Sequence, residues 1–154
     1  MKKLLAFSAL TLALSATPAL AQQSVNLRNG AGYGFLGVEA EFPVARNAVL
    51  NAGVGTTFGG FSVVGGGKYF FQPEQRLAGL YGAGRLGLYA GNGFAGFLGV
   101  ATAGYRFDLG KASVDLNRLY VDLEAGVSFG AYGDGYLAGA GVGPAFGIGL
   151  GYRF

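Results

Sequence analysis

The chain of 154 residues has no histidine, no cysteine, only four prolines and just 12% charged residues. Without histidine a Ser/His/Asp triad cannot be assembled, and without cysteine there is no thiol nucleophile. The lack of cysteine also rules out disulfides, which an exported domain could otherwise use, and a lipid-modified cysteine near a cleavage site. Such a chain must be held by burial or by lipid. No cluster of basic residues is present, so no nucleic-acid footprint exists. Few prolines and no Gly-x-y period exclude collagen and Pro-rich linkers. A mean hydropathy of +0.40 argues against disorder.

What the chain does have is glycine, 31 residues of it, far above the usual share of about 7%. At the N-terminus, Lys2 and Lys3 precede an apolar run from Leu4 to Leu14, and Ala19-Leu20-Ala21 is a small-x-small cleavage site. This reads as a cleaved signal peptide, residues 1–21, with export and a mature domain over 22–154. Loss of Lys2 and Lys3 takes the formal charge from +3 to +1. The remaining length is one domain.

Three charge-free stretches, 47–67, 86–105 and 135–152, are long enough to be membrane helices. They are broken by Gly-Gly, Gly-Asn-Gly and Gly-Pro, and each glycine costs a helix about 1 kcal/mol. Strand periodicity fits better. From Leu119 to Phe129, Leu119, Val121, Leu123, Ala125, Val127 and Phe129 share one face, while Tyr120, Asp122, Glu124, Gly126 and Ser128 share the other. Alternation over eleven residues is the length that crosses a bilayer at a tilt. Residues 48–58 alternate likewise. The last nine residues put Phe146, Ile148, Leu150, Tyr152 and Phe154 opposite Gly147, Gly149, Gly151 and Arg153. A bulky apolar face against a face of glycine and arginine fits lipid outside and a lumen inside.

Gly104-Tyr105-Arg106-Phe107 is identical to Gly151-Tyr152-Arg153-Phe154, and residues 67–71 and 39–42 are looser versions. If all four mark strand ends on one side, they are strands 2, 4, 6 and 8. The expected strands are 23–29, 32–42, 48–58, 61–71, 77–90, 94–107, 119–129 and 140–154, an all-β, closed antiparallel transmembrane barrel. Gly143-Pro144 can also split the last segment, giving an inverted eight-strand topology that starts at Ala31. The outward aromatics Phe42, Tyr69, Phe71, Tyr105, Phe107, Tyr152 and Phe154 then form a girdle at one rim.

In this register the inward charges are Glu39, Glu41, Lys68, Arg85, Arg106, Asp122, Glu124 and Arg153, four of each sign. Asp122 and Glu124, between strands 6 and 8, are expected to pair with Arg106 and Arg153. Lys68 and Arg85 are neighbours of like charge unless Glu39 or Glu41 reaches across. Tyr81 and Tyr89 are expected to fill space that the inward glycines Gly53, Gly55, Gly66, Gly126, Gly147, Gly149 and Gly151 leave open. Arg106 inward also turns Leu98 and Val100 inward, which suggests a β-bulge in strand 6.

The terminal strand, ending in Phe154, resembles the closing strand of bacterial outer-membrane barrels of the OmpA transmembrane-domain, OmpX and NspA kind. That resemblance implies an outer-membrane location, lipid as the main partner, and recognition of Leu150, Tyr152 and Phe154 by the barrel-assembly machinery. It covers the mature chain by architecture and only the terminal strand and its repeats by motif. Barrel enzymes of that fold rest on a catalytic histidine, so no activity is implied here. The chain ends on its last strand, with no peptidoglycan-binding domain expected after it.

Gly91-Asn92-Gly93-Phe94-Ala95-Gly96 matches G-x-G-x-x-G but joins two strands without a helix, and Asp134 alone is a thin calcium site. Asp122 and Glu124, two apart on one face, suit ion pairing better than acid–base catalysis. The expectation is a monomeric structural barrel with no cofactor, no metal and no catalysis. A narrow pore, an adhesin and a soluble periplasmic ligand-binding barrel are the alternatives.

Overall fold

A computed structural model of the chain describes residues 23–57, 59–72, 77–91, 93–133 and 138–154. The signal segment with its cleavage site, Phe58, Asn92 and Asp134 lie outside the described residues. Eight strands occur in chain order: β1 (Ser24–Gly30), β2 (Leu36–Ala45), β3 (Ala48–Thr57), β4 (Gly60–Phe70), β5 (Gly79–Gly91), β6 (Phe94–Asp108), β7 (Leu119–Gly133) and β8 (Ala138–Arg153). Each pairs antiparallel with the next, and β1 pairs with β8, so the sheet is a closed barrel.

The register fixes the tilt. A rung from Ser24 runs through Glu41, Asn51, Gly66, Arg85, Val100 and Ser128 to Gly143, whereas Ser24 itself pairs with Arg153, ten residues further along β8. Eight strands with that stagger tilt by roughly 40° to the axis and leave an interior that side chains can fill. The rim holding both described chain ends is level. The other climbs from β1 to β8, and the strands lengthen from 7 residues in β1 to 16 in β8.

Alternation is maintained throughout. Odd-numbered residues of β1 and even-numbered residues of β8 face out, for example Val25 and Leu27 beside Ile148, Leu150 and Tyr152. Among the described residues, no outward strand position carries a charge. The outer face is instead large and apolar, with Leu86 at 67% exposure and Phe146 at 68%. At the level rim, Tyr69–Phe71, Tyr105–Phe107 and Tyr152–Phe154 form edge-to-face or tilted pairs with centroids 5.9, 4.6 and 5.5 Å apart. Phe61, Phe97 and Phe129 lie toward the other rim. Phe97 and Phe107 are ten residues apart on β6, about 34 Å along a strand and about 25 Å along an axis tilted by roughly 40–45°.

Three expected details differ. First, β6 has no bulge. Its ladders with β5 and β7 are unbroken, and the described register shift is between Pro43 and Ala45 on β2. Leu98 and Val100 do face inward, where they pack with Ala31 and Ala145, so the strand keeps a single phase and the expected bulge is absent. Second, β8 is one strand through Pro144. Phe146 and Phe154 turn their backbones toward β1, as Ala31 N–H to Phe146 O (2.8 Å) and Phe154 N–H to Gln23 O (3.0 Å) show. Pro144 has the same parity and lies above the end of β1, so its missing N–H costs no ladder bond. Third, β2 begins at Leu36, not near residue 32. Positive φ at Gly30, Ala31, Gly32 and Gly34 closes a tight turn, with Gly30 N–H to Gly34 O at 2.7 Å, and drops Tyr33 into the lumen.

Candidate functional site: the lumen

The lower half of the lumen is filled by a single charged cluster. Four carboxylates, Glu39 and Glu41 on β2 and Asp122 and Glu124 on β7, face four cations, Arg28 on β1, Lys68 on β4, Arg85 on β5 and Arg106 on β6. All are buried, so unpaired they would carry a heavy desolvation cost.

Each carboxylate meets several donors. Asp122 lies directly opposite Arg106 on the β6–β7 ladder and takes Nε on Oδ1 at 2.7 Å and Nη2 on Oδ2 at 2.8 Å. Lys68 and Arg28 reach the same Oδ2 at 2.8 and 3.1 Å. Arg85 forks onto Glu124 with two bonds of 2.7 Å, and Arg28 Nη2 approaches it at 2.6 Å. Tyr81 adds a hydroxyl bond of 2.8 Å. Glu41 accepts from Arg106 at 2.7 Å and Tyr120 at 3.0 Å, and it also pairs with Lys68. Glu39 accepts from Tyr33 and Asn51, both at 2.7 Å.

Glu39 also resolves the like-charge neighbours. Its two oxygens lie 3.1 Å from Lys68 Nζ and 3.4 Å from Arg85 Nε, so a carboxylate from β2 stands between cations on β4 and β5. Arg106 stacks over the Tyr120 ring at 3.9 Å and near Phe70 at 5.2 Å.

Two residues depart from expectation. Arg153 does not reach Asp122 or Glu124. It sits at the rim, 3.3 Å from Asp108 and over Tyr120 at 4.6 Å. Asp122 is level with Gly149 on β8, four residues above Arg153, and Tyr120 occupies the gap. Arg28 is missing from the expected inward set, although the outward Val25 and Leu27 place it there by alternation. Asp108 holds the rim further by accepting from Gly110 N–H at 3.0 Å, which starts the 3₁₀ turn Leu109–Lys111.

The inward glycines are not voids. A Cβ on Gly104 would strike the Tyr81 ring, one on Gly151 the Tyr120 ring and Asn26, one on Gly149 the Arg28 side chain, one on Gly53 the β2 backbone and the Tyr33 ring edge, and one on Gly55 the Tyr33 backbone. Glycine provides the seats in which rings and guanidiniums lie. Tyr33, Tyr81, Tyr120 and Phe70 are fully buried, whereas Tyr89 lies higher and half-buried, against Gly96.

Above the cluster, Ala31, Val100, Ala145 and Leu98 form an apolar floor. Over it opens an uncharged vestibule. A cavity of about 310 Å³ is lined by Gly30, Ala31, Gly32, Gly34, Ala145 and Phe146 among others, and a space of about 740 Å³ at the upper rim borders both the inward Leu98 and Ser128 and the outward Phe129 and Val142. Thr57, Tyr89, Leu98 and Ser128 border both.

Leu150, Tyr152 and Phe154 stand on the outer face of β8, each exposed. Among the described residues no group of three or more acidic side chains is arranged to hold a metal ion. No family model, curated protein or solved structure matches the chain. It is a closed, eight-stranded antiparallel β-barrel with a charged interior.

Proposed function

We propose that the chain is a monomeric, non-enzymatic outer-membrane barrel with a structural role in the envelope, whose main partner is lipid. One observation carries this reading: the barrel is inside-out. Its interior holds eight charged side chains in the plug and Arg153 at the rim, while the described outward strand positions hold none. In water that arrangement would expose a continuous apolar surface and bury the groups that most want solvent. In a bilayer it is the favourable one, since Lys or Arg on the lipid face costs about 2–4 kcal/mol at the midplane. The rings at the level rim and the roughly 25 Å to Phe97 match the height of the apolar band in such barrels.

The plug supports a non-conducting barrel. At this level the inward side chains Glu39, Asp122, Tyr33 and Tyr81 are sealed from solvent, which leaves no room there for a hydrated ion. Leu150, Tyr152 and Phe154, outward at the level rim, are available to the assembly machinery that the closing strand's resemblance implies.

The test is extraction and reconstitution. The protein should need detergent for release from cells, migrate anomalously on gels until heated, and give no discrete channels in planar bilayers. Recovery in the soluble periplasm would replace this reading with a ligand-binding barrel, and reproducible conductance would replace it with a pore.

A further inference from the structure

The wall of the barrel is incomplete at one corner. The β1–β8 ladder stops at Gly30 and Gly147, with one more bond from Ala31 N–H to Phe146 O at 2.8 Å, yet β8 continues up to Ala138. The next backbone does not fill the gap: the turn after Gly30 bends inward, and Phe35 N–H bonds to Thr56 O on β3 at 2.9 Å. With 7 residues, β1 rises about 17 Å along the axis at a tilt of roughly 40°. The apolar band of such barrels is about 25 Å tall, so this corner ends about 8 Å below its outer edge.

The notch leads indoors. The cavity of about 310 Å³ has Gly30, Ala31, Gly32 and Gly34 on one side of the seam and Pro144, Ala145 and Phe146 on the other, and reaches Leu98 and Ser128 inside. It shares Thr57, Tyr89, Leu98 and Ser128 with the space of about 740 Å³ at the upper rim. No charged residue borders either among the described residues, and the volumes fall in the range of small-molecule sites. The outer lip is Phe146, part of the exterior apolar face, so hydrocarbon outside is continuous with apolar surface inside.

We propose that the seam between β1 and β8 admits an acyl chain sideways into the vestibule, where it lies on the floor of Ala31, Leu98, Val100 and Ala145. The proposal rests on the membrane reading above. The shared chemistry is a single hydrocarbon tail, from a bilayer lipid or from a free fatty acid.

The chain has no tryptophan, so an introduced one is a sole reporter. The full barrel is refolded in vesicles of phospholipid brominated on its acyl chains, and tryptophan quenching is measured for three variants. Leu86→Trp, on the outer face, reports whether the barrel lies in lipid at all; no quenching there sinks the membrane reading. Tyr81→Trp, sealed in the plug, sets the level reached through the wall. Leu98→Trp should be quenched at least half as much as Leu86→Trp and clearly more than Tyr81→Trp, and adding Ala145→Phe to fill the notch should return it to the Tyr81→Trp level. If Leu98→Trp shows no heat-dependent gel shift, Ser128→Trp takes its place. A second arm adds brominated fatty acid to unbrominated vesicles; quenching in this arm alone assigns the site to the free acid. Vestibule quenching no greater than that of Tyr81→Trp in both arms, with Leu86→Trp quenched, overturns the proposal.

Discussion

Arg106 clamps Asp122 across the β6–β7 ladder with two parallel bonds of 2.7 and 2.8 Å, and the same carboxylate also accepts from Lys68 at 2.8 Å. A planar fork against a planar carboxylate is the strong form of ion pair. Here it is the node through which β1, β4, β6 and β7 are tied.

Asp122→Asn should therefore be costly. It leaves Arg28, Lys68 and Arg106 buried with one negative charge fewer, and breaking a buried pair typically costs about 3–5 kcal/mol. Adding Lys68→Met restores neutrality and should recover part of the loss. Urea titration of the folded form in micelles measures both; a single variant within about 1 kcal/mol of wild type would show that the cluster does not hold the barrel.

Glycine substitutions should divide by what each glycine faces. A Cβ on Gly151 meets the fully buried Tyr120 ring and Asn26, whereas one on Gly84 meets nothing within 4 Å. Gly151→Ala is expected to destabilise by about 1–3 kcal/mol, the usual cost of overpacking, and Gly84→Ala to be near neutral. Equal effects in thermal unfolding would contradict the seat-for-a-ring account.

Leu86→Arg tests the outer face. Leu86 lies mid-strand on β5 at 67% exposure, and the variant should lose about 2–4 kcal/mol in vesicles. A surface exposed to water would tolerate the change, and detergent-free solubility of Leu86→Arg would count against lipid on that side.

Deleting Phe154 should separate folding from delivery. Its backbone bonds to Gln23 O at 3.0 Å and its ring meets Tyr152, but 68% of it is exposed. Refolding in micelles should change by less than about 1 kcal/mol, as for exposed positions generally, while the amount assembled in cells should fall several-fold. Normal assembly would leave the residue without a signalling role.

The strand plan was legible because one physical rule, alternation of side chains with period two, runs through most of the sequence. It places Asp122 and Glu124 inward as readily as Leu123 outward. Applied to β1 it also turns Arg28 inward, yet the expected set leaves Arg28 out, because β1 is short and its inward residues Ser24, Asn26 and Arg28 carry no apolar pattern of their own. What alternation cannot supply is height. Whether Arg153 meets Asp122 or Asp108 depends on the ten-residue stagger, a property of closure and not of any one strand. The inward plunge of Tyr33 was hidden for a similar reason: a run such as Gly30-Ala31-Gly32-Tyr33-Gly34 reads equally as strand or turn. Leu98 and Val100 looked like an error of phase, yet they belong to an apolar storey above the charged one.

The plug takes its charged members from β1, β2, β4, β5, β6 and β7; β8 contributes glycines there, with Arg153 only at the rim. Seen from inside, the run Gly147, Gly149, Gly151 looks the same after a slide of two residues, and outside, Phe146, Ile148 and Leu150 exchange for one another with little change. Strands of this kind specify their alignment weakly. The marks that break the degeneracy are few: Arg153 against Asp108, Ala145 beneath the vestibule, and Pro144 placed where no ladder bond is missed. The closing strand is thus a nearly uniform zip, and the chain has concentrated the information that stops it in the teeth at its two ends.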